Sequence, residues 1–290
     1  MASLKEIRAR IASVASTQKI TSAMKMVSAA KLKKAESVTL NFLPYKNKLS
    51  EALSNYLGSL EGEVSIPLAE KREVKKVALI AFSSSSGLCG VYNASVSKLF
   101  KQTYDEYREK LGKENVMVIL MGKKIKDYAK KFQIPVEQYY EPAADKPSYD
   151  FATELSDKMV KLFLEHEVDC VEMIYNHYKN AGVQTPQREV VLPLKTDTLP
   201  AAQNFDYLVE PNKEDFINAL VPKVVRTIFY SIMLDTFTAE HGARMTAMHI
   251  ASDNADQLSQ ELRIQYNKAR QNVITNELID IVGGAEALNG

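Results

Sequence analysis

Apolar residues at the start of the chain recur mostly at intervals of three and four. This is the period of a helix that packs along one face against a partner. The series comprises Leu4, Ile7, Ile11, Val14, Ile20, Met24, Val27 and Leu32, with Gln18 and Thr21 interrupting it. Ser3 and Glu6 can form a capping box before it. We predict a helix over residues 1–60, kinked or broken at Pro44.

The C-terminal quarter shows the same pattern over a longer stretch. Pro222 suits the first turn of a second long helix, after a short helix at Glu214–Leu220, and Gly283 with Gly284 suits a helix stop. Its seam comprises Leu258, Leu262, Ala269, Val273, Leu278, Ile281, Ala285 and Leu288. Some 55 helical residues span about 80 Å, which a compact core cannot cover. We therefore predict that the helices at 1–60 and 212–290 pair as an antiparallel coiled coil.

Five alanines recur every four residues within the second long helix. They are Ala239, Ala243, Ala247, Ala251 and Ala255. A row of small side chains at this spacing lets another helix approach closely. Alanine is also the best helix former, so propensity alone is the simpler explanation. We favour close packing and predict that the row faces another helix.

Between the two ends, short apolar runs alternate with helical patterns. The candidate strands are Val77–Phe82, Val116–Met121, Val136–Tyr140, Asp169–Tyr178 and Glu189–Leu194, and the candidate helices are Asn93–Lys110, Lys123–Phe132 and Tyr149–Glu165. Strands that alternate with helices are typical of a mostly parallel sheet. We predict an α/β domain with a Rossmann-like sheet over residues 74–200.

Charge and cysteine content narrow the function classes. The 290 residues carry a formal net charge of +1, so the whole chain is not a general ligand for polyanions. Residues 1–40 are nevertheless basic, with eight Lys or Arg against two Glu. The two cysteines, Cys89 and Cys170, lack metal-site spacing, which indicates a reducing compartment. The sequence shows no signal peptide, and its apolar runs are too short to span a bilayer.

One loop has the position of a phosphate-binding loop without its chemistry. Residues 83–90 follow a strand and precede a helix, but they lack the lysine of a P-loop and the glycine spacing of a dinucleotide site. A tight turn that needs small residues is the simpler explanation. Cys89 has no histidine nearby in sequence to activate it as a nucleophile. We predict no catalytic, cofactor or metal site in this chain.

Several long motifs resemble the gamma subunit of F-type ATP synthase. The matching stretches are Leu4–Val14, Thr17–Thr21, Ala23–Val27, Gly87–Gly90 with Asn93, Gly242–Met248, Asp253–Ala255, Asn267–Gln271, Ile274–Leu278 and Ile281–Ala285. The likeness covers the full length and the order of the elements. It implies the same fold, in which the terminal helices form an antiparallel coiled coil beside an α/β domain.

The resemblance also implies a function. The chain would be the central rotor shaft of the F1 sector, a non-catalytic subunit without cofactor that couples proton flow to ATP synthesis or hydrolysis and regulates ATPase activity. Its expected partners are the alpha and beta subunits, the epsilon subunit and the c-subunit ring, with no nucleic acid and no membrane span. The missing transit peptide favours a bacterial chain, peripheral on the cytoplasmic face of the inner membrane.

The resemblance assigns partner contacts residue by residue. The expected contacts are Met24, Lys25, Lys31, Lys33, Lys34, Arg244, Arg270, Gln271, Thr275 and Glu277. The four lysines are expected to face an acidic lever of the beta subunit. The chain departs from many relatives in having serines where they carry an Asp-Arg pair before Gly87, and it lacks the cysteine-bearing insert of chloroplast relatives. We therefore expect no thiol control.

The basic first helix leaves an alternative open. An enzyme or nucleic-acid binder with a basic coiled-coil arm would also place lysines along one long helix. Salt-sensitive binding of RNA by the purified chain would favour this alternative over the shaft.

Overall fold

The computed structural model describes residues 3–59, 66–141, 146–194 and 212–289. Its contacts group the chain into two units. Unit 1 comprises Met1–Ser28 with Met245–Gly290, and unit 2 comprises Ala29–Arg244. Two long helices, α1 (Leu4–Ser59) and α5 (Lys213–Asn289), supply residues to both units. Because the predicted domain boundaries at 60, 74, 200 and 212 follow the elements rather than these contacts, that division stays a prediction.

In unit 1 the two helices pack against each other in antiparallel fashion. Thr21 and Ser252 share a buried hydrogen bond of 2.8 Å, while Leu4 lines a shallow cleft with Ala269 and Val273. The earlier a residue lies in α1, the later its contact lies in α5, which is the order of an antiparallel pair. The predicted capping box is also confirmed, since Ser3 and Glu6 exchange two backbone-to-side-chain bonds at 2.9 and 3.3 Å.

The seam of α1 differs from the predicted one by a single position after Val14. The inward residues form an unbroken heptad series: Leu4, Ile7, Ile11, Val14, Gln18, Thr21, Lys25 and Ser28. Ile20 and Val27, which were assigned to the seam, are each 58% exposed, and Thr21 is buried. That assignment was wrong because it followed hydrophobicity, whereas the strict heptad spacing continues through polar residues.

The seam of α5 in unit 1 is likewise shorter than predicted. Met248, Ser252, Ala255 and Leu262 are buried, and the inward series ends near Ala269. Leu258, Val273, Leu278 and Ile281 were assigned to the seam but are exposed. The side chain of Leu288 lies outside the described residues.

The first helix ends at Ser59, close to the predicted residue 60, but the prolines and glycines within the two long helices do not act as predicted. α1 continues through Pro44 to Ser59 without a break. α5 is one helix through Pro222, so the separate short helix was a wrong prediction. A proline inside a helix costs roughly 3 kcal/mol, and here the flanking Val221 and Val224 are buried in the core, which offsets that cost. α5 also runs through Gly283 and Gly284, which therefore do not stop it.

The predicted α/β domain is confirmed as a five-stranded sheet with the order β3-β2-β1-β4-β5. Its strands are β1 (Val77–Phe82), β2 (Val116–Met121), β3 (Gln138–Tyr140), β4 (Cys170–Asn180) and β5 (Val183–Leu192). All pairings are parallel except β4 with β5. Its helices are α2 (Tyr92–Leu111), α3 (Lys123–Lys131) and α4 (Tyr149–Leu164). Short 3-10 turns lie at Pro67–Ala69 and Lys113–Asn115.

Alternate residues of β1 face two different parts of the core, as the strand period requires. Val77, Leu79 and Ala81 pack in one cluster with residues of α2 and α3. Ala78, Ile80 and Phe82 pack in a second cluster. Residues of α4 and of the unit 2 parts of α1 and α5 complete this second cluster. The sheet is therefore buried on both faces, and the long helices form part of its cover.

The alanine row contributes to two separate contacts. In unit 2, Ala239 and Ala243 pack against Cys89 and Tyr92. Tyr92 begins α2, whereas Cys89 belongs to the loop before it, so a loop shares this contact with a helix. In unit 1, Ala255 is buried in the seam. The small side chains thus serve close packing, but not along one uninterrupted neighbour.

Within the described residues, α5 is long and apolar enough to span a membrane when only its length and composition are considered. One 18-residue window reaches a mean hydropathy of 1.3, and 56% of that window is buried inside the protein. A core helix meets the same criterion, and the core packing of Val225, Phe229 and Ile232 accounts for the apolar character here.

Candidate partner-binding surface

Most of the predicted partner contacts lie on the surface of their own unit. Lys31, Lys33 and Lys34 are exposed along α1 in unit 2. In unit 1, Met24 and Lys25 are half-buried, and the α5 positions are exposed. Those α5 positions are Arg270, Gln271, Thr275 and Glu277. Apart from the buried Arg244 and the half-buried Met24 and Lys25, these side chains are exposed to a partner, and all of the contacts stay a prediction.

Unit 1 also presents large apolar side chains that the predicted seam had assigned inward or ignored. Those of α1 are Ile20, Met26 and Val27, and those of α5 are Ile250, Leu258, Ile264, Val273, Ile274, Leu278, Ile279, Ile281 and Val282. We name this set the outer apolar surface. The sequence carried a signal for it, because Ile279 lies about 100° around the helix from Leu278 and widens the face that Leu278, Ile281 and Val282 share. Such an exposed set marks a protein-interaction surface.

Arg244 differs from the other predicted contacts because it is buried inside unit 2. Its guanidinium donates to Glu240 Oε1 at 2.6 Å and to Ser86 Oγ at 2.8 Å. Nε donates to the carbonyl of Gly87 at 3.4 Å. Both members of the Arg244–Glu240 pair are less than a tenth exposed. Its geometry therefore anchors the 83–90 loop to α5, whatever further contact it makes.

The 83–90 loop is held by bonds within the protein. Ser83 Oγ accepts the backbone N–H of Ile125 at 2.9 Å. Gly122 has a φ of +92°, and a Cβ there would lie 2.1 Å from the Ser83 carbonyl oxygen, so only glycine fits. Ser84 N–H and Oγ both bond to Asn93 Oδ1, each at 3.0 Å. These bonds support the tight turn over a phosphate cradle, because they already engage the loop hydroxyls.

Two ionisable groups beside this loop, Cys89 and His241, are held in their neutral forms. Burial raises the pKa of the Cys89 thiol, and the Glu240 carboxylate opposes ionisation as well. Asn93 Nδ2 donates to Cys89 Sγ at 3.0 Å. Burial also lowers the pKa of His241 to about 3, with Arg244 and Lys31 adding to the shift. Among the described residues, no group of three or more His, Cys, Asp or Glu side chains is placed to hold a metal ion.

Comparison with known proteins gives a match over nearly the whole chain. Residues 3–288 match the family model described as ATP synthase. The ATP synthase gamma chain of Bacteroides fragilis is 49% identical over 295 residues, covering 99% of this chain and 100% of the relative. That of Flavobacterium johnsoniae is 47% identical over 293 residues and covers 100% of both chains.

The chain belongs to the ATP synthase gamma chain family.

Solved structures agree with this assignment at the level of fold. A chain of the Euglena gracilis mitochondrial ATP synthase F1/c-ring structure matches with a TM-score of 0.66 at 18% identity, covering 98% of this chain and 94% of that chain. A chain of the Tetrahymena thermophila central stalk and c-ring structure matches with a TM-score of 0.58 at 23% identity, covering 80% and 99%.

Membership of the gamma chain family confirms the resemblance noted in the sequence and makes the chain the central-stalk subunit of an ATP synthase. The alternative of an enzyme or nucleic-acid binder with a basic arm finds no support in these relatives. What the structure adds to the gamma chain pattern is a distinction between two kinds of motif residue. Arg244 is bonded internally, whereas Arg270 and Glu277 are exposed.

Proposed function

We propose that this chain is the non-catalytic rotor shaft of an ATP synthase, which transmits rotation between a proton-driven c-subunit ring and the nucleotide sites of the alpha and beta subunits. One observation carries the proposal. Unit 1 buries Thr21, Ser28 and Ser252 along its seam and leaves its outer apolar surface exposed. A helix pair without another partner would bury its apolar side chains and expose its polar ones.

The outer apolar surface fits a partner that surrounds unit 1. Its members lie on both α1 and α5 and include adjacent positions such as Leu278 with Ile279 and Ile281 with Val282. Adjacent helix positions point about 100° apart, so one flat partner cannot cover them all. A sleeve formed by the alpha and beta subunits would cover them, and apolar contacts without directional bonds would allow the shaft to turn inside it.

The exposed lysines fit a second kind of contact. Lys31, Lys33 and Lys34 are exposed on α1 of unit 2. We expect these lysines, with Lys25 in unit 1, to meet an acidic lever of the beta subunit. Charge pairs at a moving interface favour orientation and encounter more than tight affinity. Met24, Arg244, Arg270, Gln271, Thr275 and Glu277 complete the proposed contacts with the surrounding subunits.

A shaft made of two helices also provides the asymmetry that rotation needs. A pair of different helices has no threefold symmetry, so three sites around it meet three different faces. A ligand or partner shifts a conformational equilibrium only through contacts that differ between the states. We therefore propose that the changing face of unit 1 alters the nucleotide affinity of each beta subunit in turn, while the epsilon subunit and the c-subunit ring bind the same chain elsewhere.

The chemistry of the α/β domain supports the proposed non-catalytic role. The 83–90 loop occupies the place where a nucleotide site would lie, and its hydroxyls are bonded to Asn93, Ile125 and Arg244. The Cys89 thiol is buried and its pKa is raised, so it is a poor nucleophile. The bacterial relatives support a location at the cytoplasmic face of the inner membrane.

Reconstitution tests the proposal. The remaining subunits of the complex are assembled in vesicles with or without this chain, and ATP synthesis driven by a proton gradient is measured. We expect synthesis only with the chain, and no ATP hydrolysis by the chain alone. Replacing Lys31, Lys33 and Lys34 by glutamate should lower the rate, while a control with Lys110 and Lys113 replaced should not. Full synthesis in vesicles that lack the chain would contradict the proposal.

A further inference from the structure

The β4–β5 hairpin extends beyond the rest of the sheet in unit 2. β4 pairs with β1 only as far as Ile174, whereas its pairing with β5 continues to Asn180. The residues from 175 to 187 therefore form a two-stranded projection. Its far end carries the side chains that contact both long helices, and Tyr178 is central among them.

Tyr178 is bonded to both helices at once. Its hydroxyl donates to Glu36 Oε1 of α1 at 2.6 Å. Its backbone N–H donates to Asp235 Oδ1 of α5 at 2.9 Å. The neighbouring His177 Nδ1 lies 2.6 Å from the other oxygen of Asp235. One strand end is thus bonded to both helices through two carboxylates.

The ring of Tyr178 is also enclosed by close packing. A Cβ added to Gly242 of α5 would lie 3.0 Å from Tyr178 Cε2 and 3.3 Å from Ala181 Cα. Ala239, Ala243, Cys89 and Tyr92 form the buried cluster against which the ring packs. The small residues of α5 at this level therefore make room for the hairpin, which explains why a glycine lies within the alanine row.

The hydroxyl is held in the form that donates. Burial raises the pKa of Tyr178, and the Glu36 carboxylate raises it further. Asp235 is more buried, and burial raises its pKa, although His177 and the Tyr178 N–H oppose that shift. A protonated phenol that donates to a carboxylate makes a short, directional bond, stronger than one between neutral groups.

We propose that Tyr178 is a positioning residue that locks the α/β body of unit 2 to α1 and α5 against rotation about the helix axes. The contacts of these helices with the faces of the sheet are mainly apolar, and apolar contacts resist separation more than sliding. Arg244 and Arg226 add directional bonds between the α/β body and α5, whereas Tyr178 bonds to α1 as well as to α5. Directional bonds to both helices resist sliding. This inference rests on the proposed rotor function, because only a chain under torque needs such a lock.

Tyr175 supplies a matched control for the test. Its hydroxyl donates to Glu189 Oε2 at 2.7 Å, so Tyr175→Phe removes the same kind of bond from the same hairpin. That bond joins β4 to β5 and reaches neither helix. Tyr178→Phe and Glu36→Ala remove the bond to α1 from its two sides, and both leave the backbone bond to Asp235 of α5 in place. Glu36→Ala also leaves the tyrosine ring and its packing in place.

The experiment measures two quantities for the wild type, Tyr178→Phe, Glu36→Ala and Tyr175→Phe. The first is hydrogen exchange of the Tyr178 amide in the full chain. It should become about tenfold faster in the two lock variants, because loss of the hydroxyl bond to the Glu36 carboxylate makes local opening of this strand end easier. The second is proton pumping per ATP hydrolysed by the reconstituted complex. It should fall in the lock variants while ATP hydrolysis continues, and stay at the wild-type level in Tyr175→Phe.

Each outcome decides between specific statements. Faster exchange with a loss of pumping in both lock variants supports the proposal. Faster exchange with normal pumping shows that the bond carries no torque and overturns it, as does an equal loss of pumping in Tyr175→Phe. Should Tyr178→Phe fail to assemble, Glu36→Ala decides alone. A wild-type chain that restores no coupled pumping contradicts the rotor function itself, which separates the two failures.

Discussion

The helical segments of unit 1 and unit 2 bury different kinds of side chain. In unit 2, α1 and α5 bury large apolar residues such as Leu53, Tyr56 and Phe229 against the sheet. In unit 1, the same two helices bury Thr21, Ser28 and Ser252 and expose Ile20 and Ile281. Helix α5 therefore changes its pattern along its length without any break in the helix.

This difference shows where each part of the chain obtains its stability. Burial of apolar area is worth about 25 cal/mol per Å², and unit 2 gains it from its own sheet and helices. Unit 1 leaves much of that area exposed, so a partner can still gain it on binding. A self-contained unit tolerates changes on its surface, whereas changes on the outer apolar surface of unit 1 should affect assembly first.

The largest expected effect concerns the buried charge pair of unit 2. Glu240→Ala leaves Arg244 buried without its counter-charge, which should lower the free energy of unfolding by about 3–5 kcal/mol. Urea unfolding of the full chain measures it. Lys101→Ala is the control, because the Lys101–Asp105 pair is partly exposed and should contribute about 1 kcal/mol at most. A loss for Glu240→Ala as small as the control would show that unit 2 does not depend on this pair.

Two leucines of α5 in unit 1, one buried and one exposed, test where the seam of that unit lies. Leu262 is 3% exposed and Leu258 is 43% exposed. Leu262→Ala should destabilise the helix pair by about 3 kcal/mol, since it leaves a cavity, while Leu258→Ala should cost less than about 1 kcal/mol. Hydrogen exchange along residues 245–270 measures both. Equal effects would mean that the seam is not where the burial places it.

A buried carboxylate in unit 2 gives a pH-dependent prediction. Asp169 accepts the backbone N–H groups of Lys75 and Lys76 at 2.9 Å each and pairs with Arg72 at 2.8 Å. Burial alone would raise its pKa, but these donors together lower it. Its contribution is therefore complete above the unfolded pKa near 3.9 and is lost as the pH falls through the lower folded value.

Asp169→Asn should accordingly cost about 2 kcal/mol at neutral pH and progressively less as the medium is acidified below pH 4. Chemical unfolding at pH 7 and at a series of acidic pH values provides the measurement. A variant whose deficit stays constant across that range would show that the interaction does not depend on the charge of Asp169.

The smallest expected effect on stability is the one that most directly tests the outer apolar surface. Ile281→Ser changes an exposed side chain, so the free energy of unfolding of the isolated chain should stay within about 0.5 kcal/mol. The same variant should nevertheless lower coupled ATP synthesis by the reconstituted complex. If stability fell and synthesis did not, the residue would belong to the core of unit 1.

The sequence predicted the elements of the α/β domain well, because buried parallel strands are continuous apolar runs. Val77–Phe82 and Val116–Met121 have the bounds the structure gives them. The seams were less predictable. At Thr21 and Ser28 heptad spacing and hydrophobicity disagree, and only the spacing identified the buried residues.

Local helix signals also failed where tertiary burial opposed them. Pro222 was predicted to begin a helix, and Gly283 with Gly284 to end one, yet α5 passes through all three. The role of Arg244 lay beyond any pattern in the sequence, since its partner Ser86 is 158 positions away. Most other candidate contacts are charged residues. Charged side chains are expected on the surface, and the structure places most of these there.

The hydroxyl pair in the seam of unit 1 has a consequence for how the two helices align. Thr21 Oγ1 and Ser252 Oγ lie 2.8 Å apart in a buried position. A slip of one heptad that places Thr21 opposite Met245 and Ser252 opposite Val14 would leave both hydroxyls without a partner, at about 1–3 kcal/mol for each. The opposite slip would place both hydroxyls beside serines, Ser259 and Ser28. A seam of uniform leucine would impose no such penalty. The pair therefore opposes axial slippage of the two ends of the chain in one direction.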